Sequence, residues 1–116
     1  MSKIKIRVSI QTDENEDTCE TMALFQDNVL KYKEKEETIV IFNLEKQELI
    51  RENKELKMVY PLKEKEITEG IIEVKEFQKE VKVKINTKSF ERKQHEIITI
   101  FQVEETMITY HVEGLE

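Results

Sequence analysis

The chain has 116 residues, and its 19 Lys and Arg against 25 Asp and Glu give a formal net charge of −6. This acidic balance argues against a nucleic-acid-binding protein, because phosphate contacts require local positive charge. The two glycines, Gly70 and Gly114, stand too far apart for a phosphate loop or a nucleophile elbow, and the lone Cys19 excludes an intrachain disulfide.

β-Branched residues dominate the apolar part of the sequence. It contains 14 Ile, 9 Val and 9 Thr but one Ala, a composition that favours strands over helices. The longest apolar runs, such as residues 39–42, are far too short to cross a bilayer. No apolar segment of signal-peptide type follows Met1, so we expect a cytoplasmic protein with no membrane contact.

The first predicted strand covers residues 3–12, where apolar and polar side chains alternate strictly. After an acidic break, a second strand over 18–26 leads to a turn at 27–28, since Asp and Asn tolerate a positive φ. A short strand over 29–33 follows. The next strand, 38–44, carries apolar side chains on both faces, which predicts that both faces are covered.

Residues 45–57 are ambiguous, because their Lys and Glu content suits a helix but their apolar residues do not form a helical stripe. We favour a strand over 47–51, a turn, and a strand over 54–60 that Pro61 ends.

Four further strands complete the predicted pattern. They cover 67–75, with Gly70 as a β-bulge, then 81–88, 97–103 and 107–113. About nine or ten short strands at regular spacing are typical of an antiparallel barrel or sandwich, here a single domain over residues 1–116.

The second half of the chain carries a resemblance to a known family. The positions that carry it are Arg51, the Met58-x-Tyr60 element and the Thr87-Lys88 pair, within a similar order of strands. They resemble the YwiB-like family of small bacterial proteins of unknown function. That resemblance implies an all-β, antiparallel, up-and-down lipocalin-like (calycin-type) β-barrel of about eight to ten short strands, with room for an internal pocket, and it brings no known activity.

Motifs for catalysis and metal binding are incomplete. Asp13, Asn15 and Asp17 imitate the start of an EF-hand loop, but the glycine and glutamate that this loop requires are missing. His95 and His111 are too few for a zinc site, which uses three or four ligands. We therefore expect no enzyme activity, no metal and no cofactor.

A basic row, Lys82, Lys84 and Lys88, alternates along the predicted strand 81–88. It suits either an anion-facing stripe or a solvated strand face. We favour the solvated face, because no aromatic residues interleave with the lysines as a base-stacking surface requires.

Three residues whose side chains end in a polar group are expected to meet inside the barrel: Arg51, Tyr60 and Tyr110. They would either plug the core as a hydrogen-bonded cluster or orient a small, partly apolar ligand. The sequence thus predicts a non-catalytic binding module with these three ligand contacts. The alternative is a protein-interaction module that acts through an outer face of a barrel filled with side chains.

Assembly is predicted from the two strands that are apolar on both faces, 38–44 and 97–103. A barrel strand needs one apolar face, so the outer set requires a cover. A second subunit is the simplest cover, which predicts a homodimer with an interface that includes Phe42 or Phe101.

Overall fold

A computed structural model describes residues 2–114, without the side chains of Ser2 and Glu36. Its ten strands pair antiparallel in chain order, and the last pairs with the first to close a barrel. The strands are β1 (Ser2–Thr12), β2 (Glu16–Gln26), β3 (Val29–Lys33), β4 (Ile39–Asn43), β5 (Glu48–Glu52), β6 (Leu56–Pro61), β7 (Ile67–Val74), β8 (Lys79–Lys93), β9 (Glu96–Val103) and β10 (Thr106–Glu113). Two 3-10 helices, Lys35–Glu37 and Lys75–Phe77, lie in the β3–β4 and β7–β8 connections. The prediction of an all-β, antiparallel, up-and-down barrel is confirmed, while Met1, Leu115 and Glu116 of the expected domain lie outside the described residues.

The ambiguous segment 45–57 forms strand, as favoured: β5 and β6 pair in register around a short turn. The hairpin turn at 27–28 is also as predicted, with φ of 52° at Asp27 and 64° at Asn28. Both residues adopt the left-handed backbone conformation, which Asn and Asp adopt more readily than most residues.

Two predicted details of β7 and β8 are wrong. Gly70 pairs regularly with Val83, and the register shift lies instead on β8 between Thr87 and Ser89. Glycine is required at position 70 for space, because a Cβ there would lie 2.9 Å from the Cδ1 atom of Tyr60. With the bulge absorbing the irregularity, β8 continues to Lys93 and does not end at residue 88.

Inward-facing side chains form one core inside the barrel. In a barrel of eight strands, ordinary side chains just fill the interior. A barrel of ten strands is wider, so larger side chains are needed to fill it. Phe42, Phe101 and Tyr110 supply them: the Tyr110 ring meets Phe42 edge-on at 5.6 Å between centroids and stacks on Phe101 at 6.2 Å.

The predicted interface residues are therefore misplaced. Phe42 and Phe101 are both 0% exposed, so an interface through either ring is excluded. Ile41 on β4 and Ile98 on β9 have the opposite parity and face outward. The sequence left this parity open because both faces of each strand are apolar, and the pairing with neighbouring strands decides it.

The two ends of the barrel differ. Five hairpin connections, including both 3-10 helices, lie at the end where β1 finishes. At the opposite end Leu62 is fully buried and its amide donates to the carbonyl of Gln47, while the Phe90 amide donates to Glu64. We call the first the open end and the second the closed end, because most of the partly buried apolar residues that pack against the core lie near the first. These residues are Ile10, Met58, Ile72, Val83, Val103 and Ile108.

Candidate functional site

Arg51 is the cationic group inside the open end. Strand alternation around the buried Leu49 turns Arg51 inward, one residue before the end of β5. Its Nη2 atom donates a 2.8 Å hydrogen bond to Oε1 of Glu34, and 29% of the Arg51 side chain but only 8% of the Glu34 side chain is exposed. The barrel therefore holds a part-buried ion pair near its mouth.

The β3–β4 connection brings Glu34 to this position. Glu34 precedes the 3-10 helix Lys35–Glu37, and its amide donates to the carbonyl of Thr38 at 2.7 Å, which closes the loop. Glu37 accommodates the tight turn with a φ of 56°. Sequence reasoning missed Glu34, because a glutamate in a run of Lys and Glu carries no signal that one side chain folds inward.

Two tyrosines face the ion pair from the barrel wall. Tyr32 and Tyr110 are 3% and 2% exposed, and both interact electrostatically with Arg51 and Glu34. Among the described residues, neither hydroxyl has a hydrogen-bond partner, and the same is true of Arg51 Nε and Glu34 Oε2. A buried polar atom without a partner costs about 1–3 kcal/mol, so this cluster has unused capacity to bind polar groups.

Burial sets the protonation preferences of the cluster. It raises the pKa of Glu34, and the charge and hydrogen bond of Arg51 oppose that rise only in part. Burial also raises the pKa of Tyr32 and Tyr110, so both phenols remain neutral and able to donate and accept.

Tyr60 also interacts electrostatically with Arg51 and Tyr110, but unlike Tyr32 and Tyr110 its hydroxyl has a partner. Its hydroxyl donates to the sulfur of Met58 at 3.3 Å, and its ring meets Phe101 edge-on at a centroid distance of 6.2 Å. Phe101 also stacks on Tyr110, so both predicted tyrosines contact the same phenylalanine ring. Arg51 thus interacts electrostatically with both predicted tyrosines, and of the two hydroxyls the one on Tyr110 lacks a partner among the described residues.

A pocket of about 260 Å³ opens beside the ion pair, just below the roughly 300–1,000 Å³ of typical ligand pockets. Its walls combine apolar and polar side chains from β1, β2, β5 and the β3–β4 connection. They are Val8, Ile10, Asp17, Thr18, Cys19, Glu34, Lys35, Thr38 and Arg51. The charges of Asp17 and Glu34 are matched in number by those of Lys35 and Arg51, so the lining has no net charge.

Cys19 contributes an apolar surface to this pocket. Burial, followed by the nearby charge of Glu34, raises the pKa of its thiol. A thiol held protonated is a poor nucleophile.

The remaining candidate residues lie elsewhere. His111 contacts Glu96 at 2.8 Å on the outer face of β10, and within residues 2–114 no group of three or more His, Cys, Asp or Glu could hold a metal ion. Lys82, Lys84 and Lys88 are exposed, and Lys82 lies 3.8 Å from Glu69. In the same part of the chain, no helix is both long and apolar enough to cross a membrane.

The fold and this site define a closed, ten-stranded up-and-down β-barrel with a part-buried ion pair and a small pocket at its open end. Among solved structures, the chain is similar to the ywiB protein from Bacillus subtilis, with a TM-score of 0.53 and 17% identity over 97% of this chain and 89% of that one. At this identity the likeness supports a YwiB-like fold and carries no function. No model of a known protein family matches the chain, and no curated protein matches it either.

Proposed function

We propose that this protein is a non-catalytic binding module that holds one small, partly apolar molecule at the open end of its barrel. The observation that carries the proposal is the coincidence of three features there: a pocket, a ring of partly buried apolar side chains, and a buried polar cluster with four unpartnered atoms. Ligand sites combine apolar walls with a few oriented polar groups in this way.

The ion pair between Arg51 and Glu34 determines which polar group of a ligand can bind beside it. Glu34 already neutralises Arg51, so a carboxylate ligand would meet no unbalanced positive charge and would face the Glu34 carboxylate. An uncharged group that both donates and accepts, such as a carboxamide, matches a guanidinium donor and a carboxylate acceptor placed side by side. The ligand class is therefore a short apolar chain or ring with an uncharged hydrogen-bonding end.

Membership of the bacterial YwiB-like family, with a lipocalin-like barrel, is part of the proposal, and the likeness of fold to the ywiB protein supports the first of these. A cytoplasmic location is part of the proposal, because a single half-buried thiol suits a reducing compartment.

The test is a titration of the isotope-labelled protein with octanamide, followed by amide chemical shifts. We expect saturable shifts confined to the open end, and weaker binding of octanoate. Arg51→Met should reduce octanamide affinity several-fold, whereas Arg7→Met, a matched change on the exposed outer face of β1, should not. Saturable shifts at the closed end, or no binding of either probe, would contradict the proposal.

A second candidate function, protein interaction through an outer face, is favoured by the closed half of the barrel. Phe42 and Leu62 are fully buried there and leave the wall as the available surface. The outer wall of β4–β7 is the surface that would serve it.

A further inference from the structure

Outward-facing apolar residues on four neighbouring strands form one continuous row. Ile41 pairs with Ile50, Ile50 with Val59, and Val59 with Ile71, so they lie side by side across β4, β5, β6 and β7. All four are partly exposed. We call them the outer apolar row. Directly opposite residues in a sheet have Cβ atoms about 4.5–5.5 Å apart, so the row is contiguous.

The rest of the outer wall offers no comparable surface among the described residues. Ile98 and Ile100 are confined to β9, and their partners on β10 are His111 and Thr109. Single apolar residues on a surface are ordinary, whereas a contiguous apolar patch marks an interaction site.

Charged residues flank the row unequally. On the side toward the open end, Glu52 on β5 pairs with Lys57 on β6, and Lys57 pairs with Glu73 on β7. On the side toward the closed end, Glu48 pairs with Pro61. The Glu52 carboxylate also lies 2.7 Å from the Lys75 ammonium group and remains 43% exposed, so it keeps room for a second cation.

The central part of this pattern is self-complementary about one axis, while at its rim the same axis places Ile39, the β4 partner of Glu52, opposite Glu73. A two-fold axis that runs along the strands between β5 and β6 places Glu52 of each copy opposite Lys57 of the other. The same axis places Ile50 opposite Val59, and Ile41 opposite Ile71. An axis along the row would instead bring Glu52 against Glu48 of the second copy, which repels. Two-fold interfaces require this kind of self-complementarity.

We propose that the outer apolar row is a dimer interface and that its occupant is a second copy of this chain, related by the two-fold axis between β5 and β6. The reciprocal Glu52 and Lys57 contacts fix the register, and the row supplies the buried apolar surface. Four side chains on a convex wall form a small interface. The dimer is accordingly weak, because interfaces below the standard size hold transient complexes.

Sedimentation equilibrium over a range of protein concentrations tests the interface. The wild-type chain should change from monomer to dimer as concentration rises through this range. Ile50→Lys should raise the dissociation constant at least about tenfold, because it places an ammonium group at the centre of the apolar contact. Ile98→Lys, the same change on the outer face of β9, should leave the constant unchanged. Circular dichroism verifies that both variants are folded.

Charge reversal gives an independent readout that does not alter the row. Glu52→Lys and Lys57→Glu should each weaken the dimer, and the double reversal should restore it, since it re-creates the opposite pairs. A wild-type chain that stays monomeric at several hundred micromolar overturns the proposal. A dimer that is insensitive both to Ile50→Lys and to the single reversals also overturns it.

Discussion

Replacing Arg51 by methionine removes the cation that faces Glu34 inside the open end of the barrel. The Glu34 carboxylate, 8% exposed, then loses its 2.8 Å hydrogen bond at Oε1, while Oε2 already has no partner in the described structure. The flexible methionine fills most of the volume that the arginine stem occupied, so the change isolates the charge. We expect a folded barrel of reduced stability.

The size of the effect follows from burial. Removing one member of a buried ion pair costs about 3–5 kcal/mol, because the remaining charge is uncompensated. Arg51 keeps 29% of its side chain in contact with solvent, so we place the loss lower, at about 2–3 kcal/mol at pH 8. For a domain of this size such a loss lowers the melting temperature by roughly 10 °C.

The loss depends on pH in a defined direction. Burial raises the pKa of Glu34, Arg51 lowers it and Asp17 raises it, so the pKa rises further when Arg51 is removed. An acid with a higher pKa in the folded than in the unfolded state destabilises the fold as pH rises through the folded pKa. Below the unfolded value of about 4.3 the acid is protonated in both states and the penalty disappears. The variant should therefore be close to wild type near pH 4 and clearly destabilised at pH 8.

Urea unfolding followed by far-ultraviolet circular dichroism measures this difference, since the chain has no tryptophan. The control is Arg7→Met, whose partner Glu20 is 3.9 Å away and exposed. Adding Glu34→Gln to Arg51→Met should recover at least half of the loss at pH 8. The reasoning fails if the loss is the same at both pH values, or if the double variant is no more stable than the single one.

Three further predictions concern the barrel itself. Phe101→Ala should cost about 3–5 kcal/mol in urea unfolding because it leaves a cavity beside two tyrosines, whereas Ile98→Ala on the outer face should cost less than about 1 kcal/mol. Gly70→Ala should lower the melting temperature, since the new Cβ would lie 2.9 Å from Tyr60, and a second change of Tyr60→Leu should reduce that additional loss. Gln78→Gly should stabilise the protein by about 0.5–1 kcal/mol, because Gln78 adopts a φ of 48°, and an unchanged or lower unfolding midpoint would contradict this.

The sequence alone determined the strands and the class of fold. Alternation of period two located most elements, and Asp27 and Asn28 marked a hairpin turn without glycine, because both signals arise from local geometry. It also placed Arg51 and Tyr110 among the inward-facing residues. Where local signals were weak, boundaries were wrong, as at the end of β8, whose bulge depends on pairing with β9.

Tertiary structure decided which face of the apolar strands points inward and which polar groups meet. Phe42 follows the apolar Ile41 and Phe101 follows the apolar Ile100, so both faces of each strand carry apolar residues and only closure of the sheet could assign the rings to the core. Glu34 reaches Arg51 across 17 residues through a connection whose charged sequence does not reveal an inward turn. The outer apolar row likewise exists only through cross-strand register, because its four members come from four strands and adjoin one another only in the folded sheet.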